Sequence, residues 1–126
     1  MSLEIDGSIL QTIKKMLGIN PSDDAFDTDI LIDINSSFDR LNTLGIGPKE
    51  GFKITDETTT WTEYLTDGNT IESVKNYIFY STKIMFDASS MSSFVVDTYQ
   101  KQIDKLEFLF TVKSDSILLK DEGETT

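Results

Sequence analysis

Carboxylates are the main candidate reactive groups of this sequence, because two residue types that usually support chemistry are missing. The chain has 22 Asp and Glu residues but no His and no Cys. Without His and Cys, the usual zinc, copper and haem ligand sets cannot be built, and neither a Ser-His-Asp nor a Cys-His catalytic centre can form. The only side chains left that could take part in catalysis are carboxylates, hydroxyls, Lys and Tyr.

One acidic cluster lies early in the chain, at Asp23, Asp24, Asp27 and Asp29. Its oxygen atoms could hold a hard divalent cation, but an EF-hand needs ligands at fixed loop positions around a central glycine. A helix is predicted to begin here instead, and negative charge is favourable at a helix N-terminus. We interpret these residues as helix-start acids, with no bound metal and no cofactor.

A second acidic set, formed by Asp97, Asp104 and Glu107, lies on the predicted last helix. A magnesium-dependent helical hydrolase would use such a set, but it would also need clustered glutamates from a second helix, which the sequence does not supply. The solvated outer face of a helix is therefore the preferred interpretation. Loss of turnover on substitution of Asp104 and Glu107 would be the signature of the hydrolase.

The charge balance limits the partners of the protein. The 22 acidic residues exceed the 11 basic ones, which gives a formal net charge of -11. This charge opposes general affinity for nucleic-acid phosphates and for anionic membranes. No apolar stretch approaches the roughly 20 residues that cross a bilayer, and the N-terminus does not resemble a secretory signal. The sequence therefore predicts a soluble protein.

The elements that position these residues are predicted to be helices. Apolar residues recur at helical spacing in four segments, and Thr60 and Glu63 match a capping box that opens a short further helix. The apolar stripe of the second helix extends from Phe26 to Leu44, and that of the fourth includes Met85. The predicted helices cover residues 8–17, 25–44, 60–65, 71–86 and 92–112. They predict an all-α fold, a small bundle of four to five helices.

Two segments outside the bundle are the candidate interaction sites. The first is a long Gly-rich loop from Gly45 to Thr60, and Trp61 is predicted to plug the core beneath it. The second is a flexible acidic C-terminal tail, residues 113–126, which follows a single domain of residues 1–112. Such segments can become ordered when they bind a partner. The candidate contact residues are Lys49, Glu50, Phe52 and Lys53 in the loop, and Lys113, Ile117, Leu118 and Leu119 in the tail.

The last predicted helix has an apolar seam with alternating spacings of three and four residues. Its members are Val96, Tyr99, Ile103, Leu106 and Phe110. Such a seam packs within a bundle or against a helix of a partner. We interpret it as packing within the chain. A partner helix is the alternative, and the two can coexist in an assembling subunit.

Several segments, in this order and spacing, resemble one known family. They are ILQTIKKMLGI, DDAFDTDILIDINSSFDRLNTLGIGPKEGFKI, TTTW, VKNYIFYSTKIMFD and SSFVVDTYQKQIDKLEF, and together they cover roughly residues 8 to 110. The most specific are FDTDI from Phe26, LGIGP from Leu44, and Phe86-Asp87 before the last helix. In these segments the chain is similar to the small head-to-tail connector proteins, also called adaptor or head-completion proteins, of siphovirus-type phages and prophages of Gram-positive bacteria.

The sequence departs from the family pattern at two places. The family often has two prolines after the Phe-Asp pair, where this chain has Ala88 and Ser89, and this change should soften the turn into the last helix. The family also commonly ends the last helix with a Trp-Arg-Leu-like run, where this chain has Phe108-Leu109-Phe110. A contact made by that arginine is therefore not expected here.

The resemblance implies a virion structural protein without catalysis and without a cofactor. Such subunits are made in the cytoplasm of the bacterial host and assemble in the phage neck into a homo-oligomeric ring, a dodecamer in the family. The ring lies below the portal protein and receives the stopper or head-tail joining protein. DNA passes through it, and an acidic wall would let the DNA slide without specific binding. No membrane contact is expected.

The alternative function is an acidic DNA mimic that inhibits a host nucleic-acid enzyme. The net charge of -11 would suit such a role. A mimic, however, would need carboxylates spaced along one surface like phosphates. In this sequence they are spread over helix starts, outer helix faces and the tail, which favours the connector.

Overall fold

The computed structural model describes the backbone of residues 7–124 and the side chains of residues 7–114. Within these limits the chain forms five α-helices and one short 3-10 helix, with no β-strand beyond a single antiparallel bridge between Ser8 and Thr60. The helices are α1 (Ile9–Met16), α2 (Asp27–Thr43), α3 (Trp61–Tyr64), α4 (Gly68–Asp87) and α5 (Ser93–Glu124), and the 3-10 helix Ala88–Ser90 joins α4 to α5. The predicted all-α class is confirmed.

Capping side chains set the starts of α3 and α4. The predicted capping box is present, since Glu63 Oε2 accepts a hydrogen bond from the Thr60 N–H at 2.9 Å. Asp67 caps α4 by accepting from the Asn69 N–H at 3.1 Å. Because of this cap, α4 begins at Gly68, earlier than the predicted start at Ile71.

The core forms around α4, which packs against both α2 and α5. Trp61, predicted to plug the core, is fully buried, and its indole N–H donates to the Thr12 hydroxyl at 3.1 Å. This bond satisfies the one polar atom of a large apolar side chain. The core also contains Ile13, Ile30, Ile34, Phe38, Ile71, Ile78 and Phe110.

The seam of α5 packs within the chain, as interpreted from its spacing. Phe110 is buried, and its ring meets that of Tyr77 edge-on with 5.6 Å between centroids. The helix continues past its predicted end at Val112 to Glu124, because neither Gly nor Pro interrupts it before Gly123. The predicted boundary between domain and tail therefore lies inside α5.

A buried ion pair joins α1 to the start of α2. Lys14 Nζ lies 2.8 Å from Asp27 Oδ1 and donates to the Pro21 carbonyl at 3.1 Å. The Lys14 side chain is fully buried, and a buried ammonium group needs such partners because an uncompensated charge in the interior is costly. Asp27, one of the acids considered as a metal ligand, therefore has a structural partner.

Candidate assembly surfaces

The Gly-rich loop leaves α2 through glycines that occupy the left-handed region of φ. Gly45 and Gly47 both have φ of +90°, a conformation that L side chains rarely adopt. Gly47 also lies against the Tyr64 ring, where an added Cβ would come within 2.6 Å of a ring carbon. Glycine is therefore required at position 47 both by the backbone and by the neighbouring ring.

Two asparagines of α2 hold the Gly-rich loop in place. Asn35 donates from Nδ2 to the Ile54 carbonyl and accepts at Oδ1 from the Ile54 N–H, both at 2.9 Å. Asn42 donates to the carbonyls of Pro48 at 2.9 Å and Lys49 at 3.3 Å. These bonds satisfy backbone groups that no regular element pairs. The loop is thus tied to α2 at two separate points.

An aromatic cluster of Phe38, Phe52 and Tyr64 seats the loop on the core. The centroids of the three rings lie 5.1, 4.7 and 5.0 Å apart. The Tyr64 hydroxyl donates to the Ile46 carbonyl at 3.4 Å, and burial raises the pKa of this hydroxyl above its usual range. Phe52, a predicted contact residue, is half-buried here and anchors the loop.

The charged residues of the loop are presented to solvent. Lys49, Glu50 and Lys53 are exposed. Lys49 and Glu50 occupy the tip of a turn that is closed by a hydrogen bond from the Gly51 N–H to the Pro48 carbonyl at 3.0 Å. A turn held in this way can contact a partner with little loss of conformational freedom.

The predicted contact residues of the C-terminal segment lie on α5. Lys113 is exposed, and Ser114 lies against Gly45 at the base of the Gly-rich loop. The two predicted contact segments are therefore brought together at one end of the bundle. The side chains of Ile117, Leu118 and Leu119 lie outside the described residues.

The outer face of α5 carries exposed apolar side chains that were not among the predicted contacts. Phe94 is 79% exposed, Phe108 68% and Val112 45%. They belong to a row whose spacings alternate between four and three residues, on the helix face opposite the buried seam. We call this row the outer stripe; its members are Phe94, Thr98, Lys101, Lys105, Phe108 and Val112. The spacing is visible in the sequence, but three of the six members are polar, so the row was not recognised as an apolar surface.

A second exposed surface is a notch between the start of α2 and the end of α4. Ile32 is 59% and Met85 50% exposed, and the Phe26 ring packs edge-on against Phe86 at 5.3 Å while its other side meets solvent. The prediction that Phe26 and Met85 belong to buried stripes was wrong, because both lie at helix ends. We call this surface the notch; its members are Phe26, Asp29, Ile32, Asp33 and Met85. Burial and the Asp29 carboxylate raise the pKa of Asp33.

A network around Glu107 fastens α5 to α2 and α4. Arg40 donates from Nη2 to Glu107 Oε1 at 3.0 Å and from Nε to Oε2 at 3.3 Å. The Tyr77 hydroxyl donates to Oε2 at 2.7 Å. The hydrogen bond from Arg40 lowers the pKa of Glu107, and burial, together with this carboxylate, raises the pKa of Tyr77. The network fixes the orientation of α5 and of its outer stripe.

The acidic residues do not form a metal-binding cluster among the described side chains of residues 7–114. Glu107 pairs with Arg40, and Asp104 accepts from the Gln100 amide at 3.1 Å. The arrangement expected of a magnesium-dependent hydrolase is therefore not seen in this part of the chain. In residues 7–124, no helix has the length and apolar character needed to cross a membrane.

The fold and these surfaces define a small all-α domain that presents an anchored loop and exposed apolar faces to other proteins. Residues 9–116 match the family model for phage connector proteins. The chain belongs to this family, as the resemblance of its segments predicted, and it has a structural connector role in a phage particle. Neither the curated proteins nor the solved structures that were compared include a match to the chain.

Proposed function

We propose that the protein is an adaptor subunit, which forms a homo-oligomeric ring below the portal protein and receives the stopper or head-tail joining protein. The match of residues 9–116 to the phage connector family supports this proposal most strongly. An adaptor ring needs separate surfaces for the portal, for the joining protein and for adjacent copies. The Gly-rich loop, the outer stripe and the notch are three such surfaces.

The Gly-rich loop and the adjacent end of α5 are the proposed contacts with the portal or the joining protein. Lys49, Glu50 and Lys53 are exposed on a loop that Asn35 and Asn42 hold to α2. Contacts made by a pre-ordered loop lose less entropy than contacts made by a disordered one. Lys113 precedes Ser114, which lies against Gly45 at the base of the loop, and Ile117, Leu118 and Leu119 follow on α5.

The acidity of the chain suits a wall along which DNA moves. With a net charge of -11 for each copy, a ring repels phosphates rather than gripping them. The proposed role therefore requires no specific DNA binding, no catalytic step and no cofactor, and it places the protein in the phage neck.

The alternative, an acidic DNA mimic, lacks a supporting observation. Asp27 pairs with Lys14 at one end of α2, and Glu107 pairs with Arg40 near the other. Carboxylates that are used in separate internal contacts do not form a phosphate-like row on one surface. The connector remains the function that the geometry supports.

Immunogold electron microscopy tests the proposed role. An antibody raised against this chain would be applied to intact and disrupted phage particles, with particles from a strain that lacks the chain as the control. Gold at the junction of head and tail is the expected result. Absence of gold from intact and disrupted particles alike would overturn the proposal.

A further inference from the structure

The outer stripe and the notch carry opposite charges that are not used within the described part of the chain. Lys101 and Lys105 are exposed on the outer stripe, and Asp29 and Asp33 lie in the notch. Among residues 7–114 these four side chains form no ion pair. The outer stripe therefore offers two positive charges to a partner, and the notch offers two negative charges.

The spacing of the two charge pairs is the same. Lys101 and Lys105 are four residues apart on α5, and Asp29 and Asp33 are four residues apart on α2. Four residues of an α-helix rise about 6 Å, so that both pairs lie one turn apart on one helix face. Two helices that pack side by side can therefore form both ion pairs at once.

The positions of the apolar residues select an antiparallel orientation of these helices. On α5 the apolar Phe108 follows Lys105 by three residues. The apolar Phe26, which is the N-cap of α2, precedes Asp29 by three. When α5 and α2 run in opposite directions with Lys101 beside Asp33 and Lys105 beside Asp29, Phe108 therefore meets Phe26. In the parallel orientation, Phe108 would instead lie beyond Asp33, over the polar segment of α2.

The neighbouring carboxylates lie at the edge of the proposed contact. In the wall of the notch, Asp87 is neutralised by Lys83, with 2.7 Å between Nζ and Oδ2. On α5, Asp97 and Asp104 lie beside the outer stripe rather than within it, and Asp104 accepts from the Gln100 amide. The charges at the centre of the contact are thus lysine on one side and aspartate on the other, while Asp97 and Asp104 keep their negative charge at its edge.

We propose that the outer stripe of one copy docks antiparallel into the notch of a second copy, with Lys101 and Lys105 paired to Asp33 and Asp29 and with Phe108 packed on Phe26. This inference rests on the proposed ring and names its contact. A single copy cannot make the contact, because the outer stripe points away from the helices that carry the notch. The contact joins two different surfaces, so that every copy offers both. A head-to-tail series of this kind forms a ring when the rotation between neighbouring copies closes, and an open filament when it does not.

Charge reversal with mixing tests the contact. Lys101→Glu with Lys105→Glu places like charges in the interface, and so does Asp29→Lys with Asp33→Lys. Each variant alone should need an about tenfold or higher concentration for half-assembly in analytical ultracentrifugation. An equimolar mixture of the two variants should assemble as the wild type does, because each reversed surface then meets its reversed partner.

A matched control separates the contact from the total charge. Lys15→Glu reverses one exposed lysine outside every proposed contact surface and should leave assembly unchanged, whereas Lys105→Glu, which changes the net charge by the same amount, should weaken it. Circular dichroism of every variant checks that the helices are intact. Equal assembly of the Lys101→Glu, Lys105→Glu variant and the wild type, or a mixture that fails to assemble, would overturn the inference.

A cysteine pair gives an independent test, since the chain has no natural cysteine. Lys101→Cys with Asp33→Cys in one chain should yield a ladder of disulfide-linked oligomers on oxidation, whereas Lys49→Cys with Asp33→Cys should yield none. The docking would be overturned if the Lys101→Cys, Asp33→Cys variant gave only monomer at concentrations where the wild type assembles. If the wild type does not assemble, monomer alone from this variant at every concentration would overturn it. Immunogold labelling tests the adaptor role, and the cysteine pair tests the contact between copies. One proposal can therefore be overturned while the other stands.

Discussion

Glu107 is the residue through which α5 is fixed to the rest of the bundle. Its carboxylate accepts from Arg40 of α2 and from the Tyr77 hydroxyl of α4. Hydrogen bonds to an ionised acceptor are stronger than those between neutral groups. Glu107 is a candidate metal ligand by sequence, but its hydrogen bonds join α5 to α2 and α4. This role becomes visible only when the three helices are packed together.

Replacement of Glu107 should produce a pH-dependent loss of stability. The hydrogen bond from Arg40 keeps the pKa of Glu107 below its ordinary value of 4.5. A group with a lowered pKa in the folded state contributes stability that is present above the unfolded pKa and is lost as the pH falls through the folded pKa. Glu107→Gln should therefore be less stable than the wild type in urea unfolding at neutral pH, and the difference should shrink in acid. An equal difference at both pH values would contradict this mechanism.

Gly47 and Gly51 offer a matched pair that separates backbone strain from crowding. Both have positive φ, but an added Cβ meets the Tyr64 ring at position 47 and nothing within 4 Å at position 51. Gly51→Ala should cost about 1 kcal/mol of unfolding free energy from the backbone alone. Gly47→Ala should cost about 3 kcal/mol, because the ring must also move. Similar losses from the two variants in urea unfolding would show that Tyr64 does not constrain the loop.

At the scale of elements, α5 shows which features of a helix can be predicted from sequence. The start of α3 was predictable because its signal, the Thr60 and Glu63 capping box, is local, whereas the start of α4 after its Asp67 cap was missed. The two stripes of α5 have the same kind of spacing, but only the seam is apolar throughout, and this composition predicted which stripe is buried. Its end was not predictable from the fall in hydrophobicity after Val112, since a helix ends where the backbone is interrupted rather than where apolar residues stop.

Two phenylalanines of α5 should behave in opposite ways when truncated. Phe110 is buried against Tyr77, whereas Phe108 is 68% exposed. Phe110→Ala should lower the free energy of unfolding by about 3–5 kcal/mol. Phe108→Ala should change it by less than about 0.5 kcal/mol, as for most surface substitutions, yet it should weaken assembly. Urea unfolding of the monomer measures both variants, and a large loss from Phe108→Ala would mean that the outer stripe is part of the core.

At the scale of the whole molecule, the candidate sites differ in how well the sequence predicts them. The Gly-rich loop was predictable, because its residues are contiguous and glycine marks it. The notch was not, since Phe26 and Met85 are distant in sequence and meet only when α2 and α4 pack together. The net charge is a property of the whole chain, and the excess of acidic over basic residues was evident from the composition.

The net charge predicts how the chain behaves toward DNA. Labelled duplex DNA should show no saturable change in fluorescence anisotropy when the protein is added at physiological salt, because phosphates and an acidic surface repel each other. Lowering the salt should strengthen this repulsion, since screening decreases. Saturable binding that is abolished by Lys49→Glu with Lys53→Glu would instead assign the loop to the DNA channel.

The burial of Lys14 makes this amine a built-in reporter of unfolding. Acylating reagents modify free amines, and a fully buried ammonium group that contacts Asp27 and the Pro21 carbonyl cannot react until α1 separates from α2. Surface lysines such as Lys15 should be acylated at once. The rate at which Lys14 gains the label, followed by peptide mass spectrometry in intact phage particles, would therefore report how often a subunit opens while it is held within the virion.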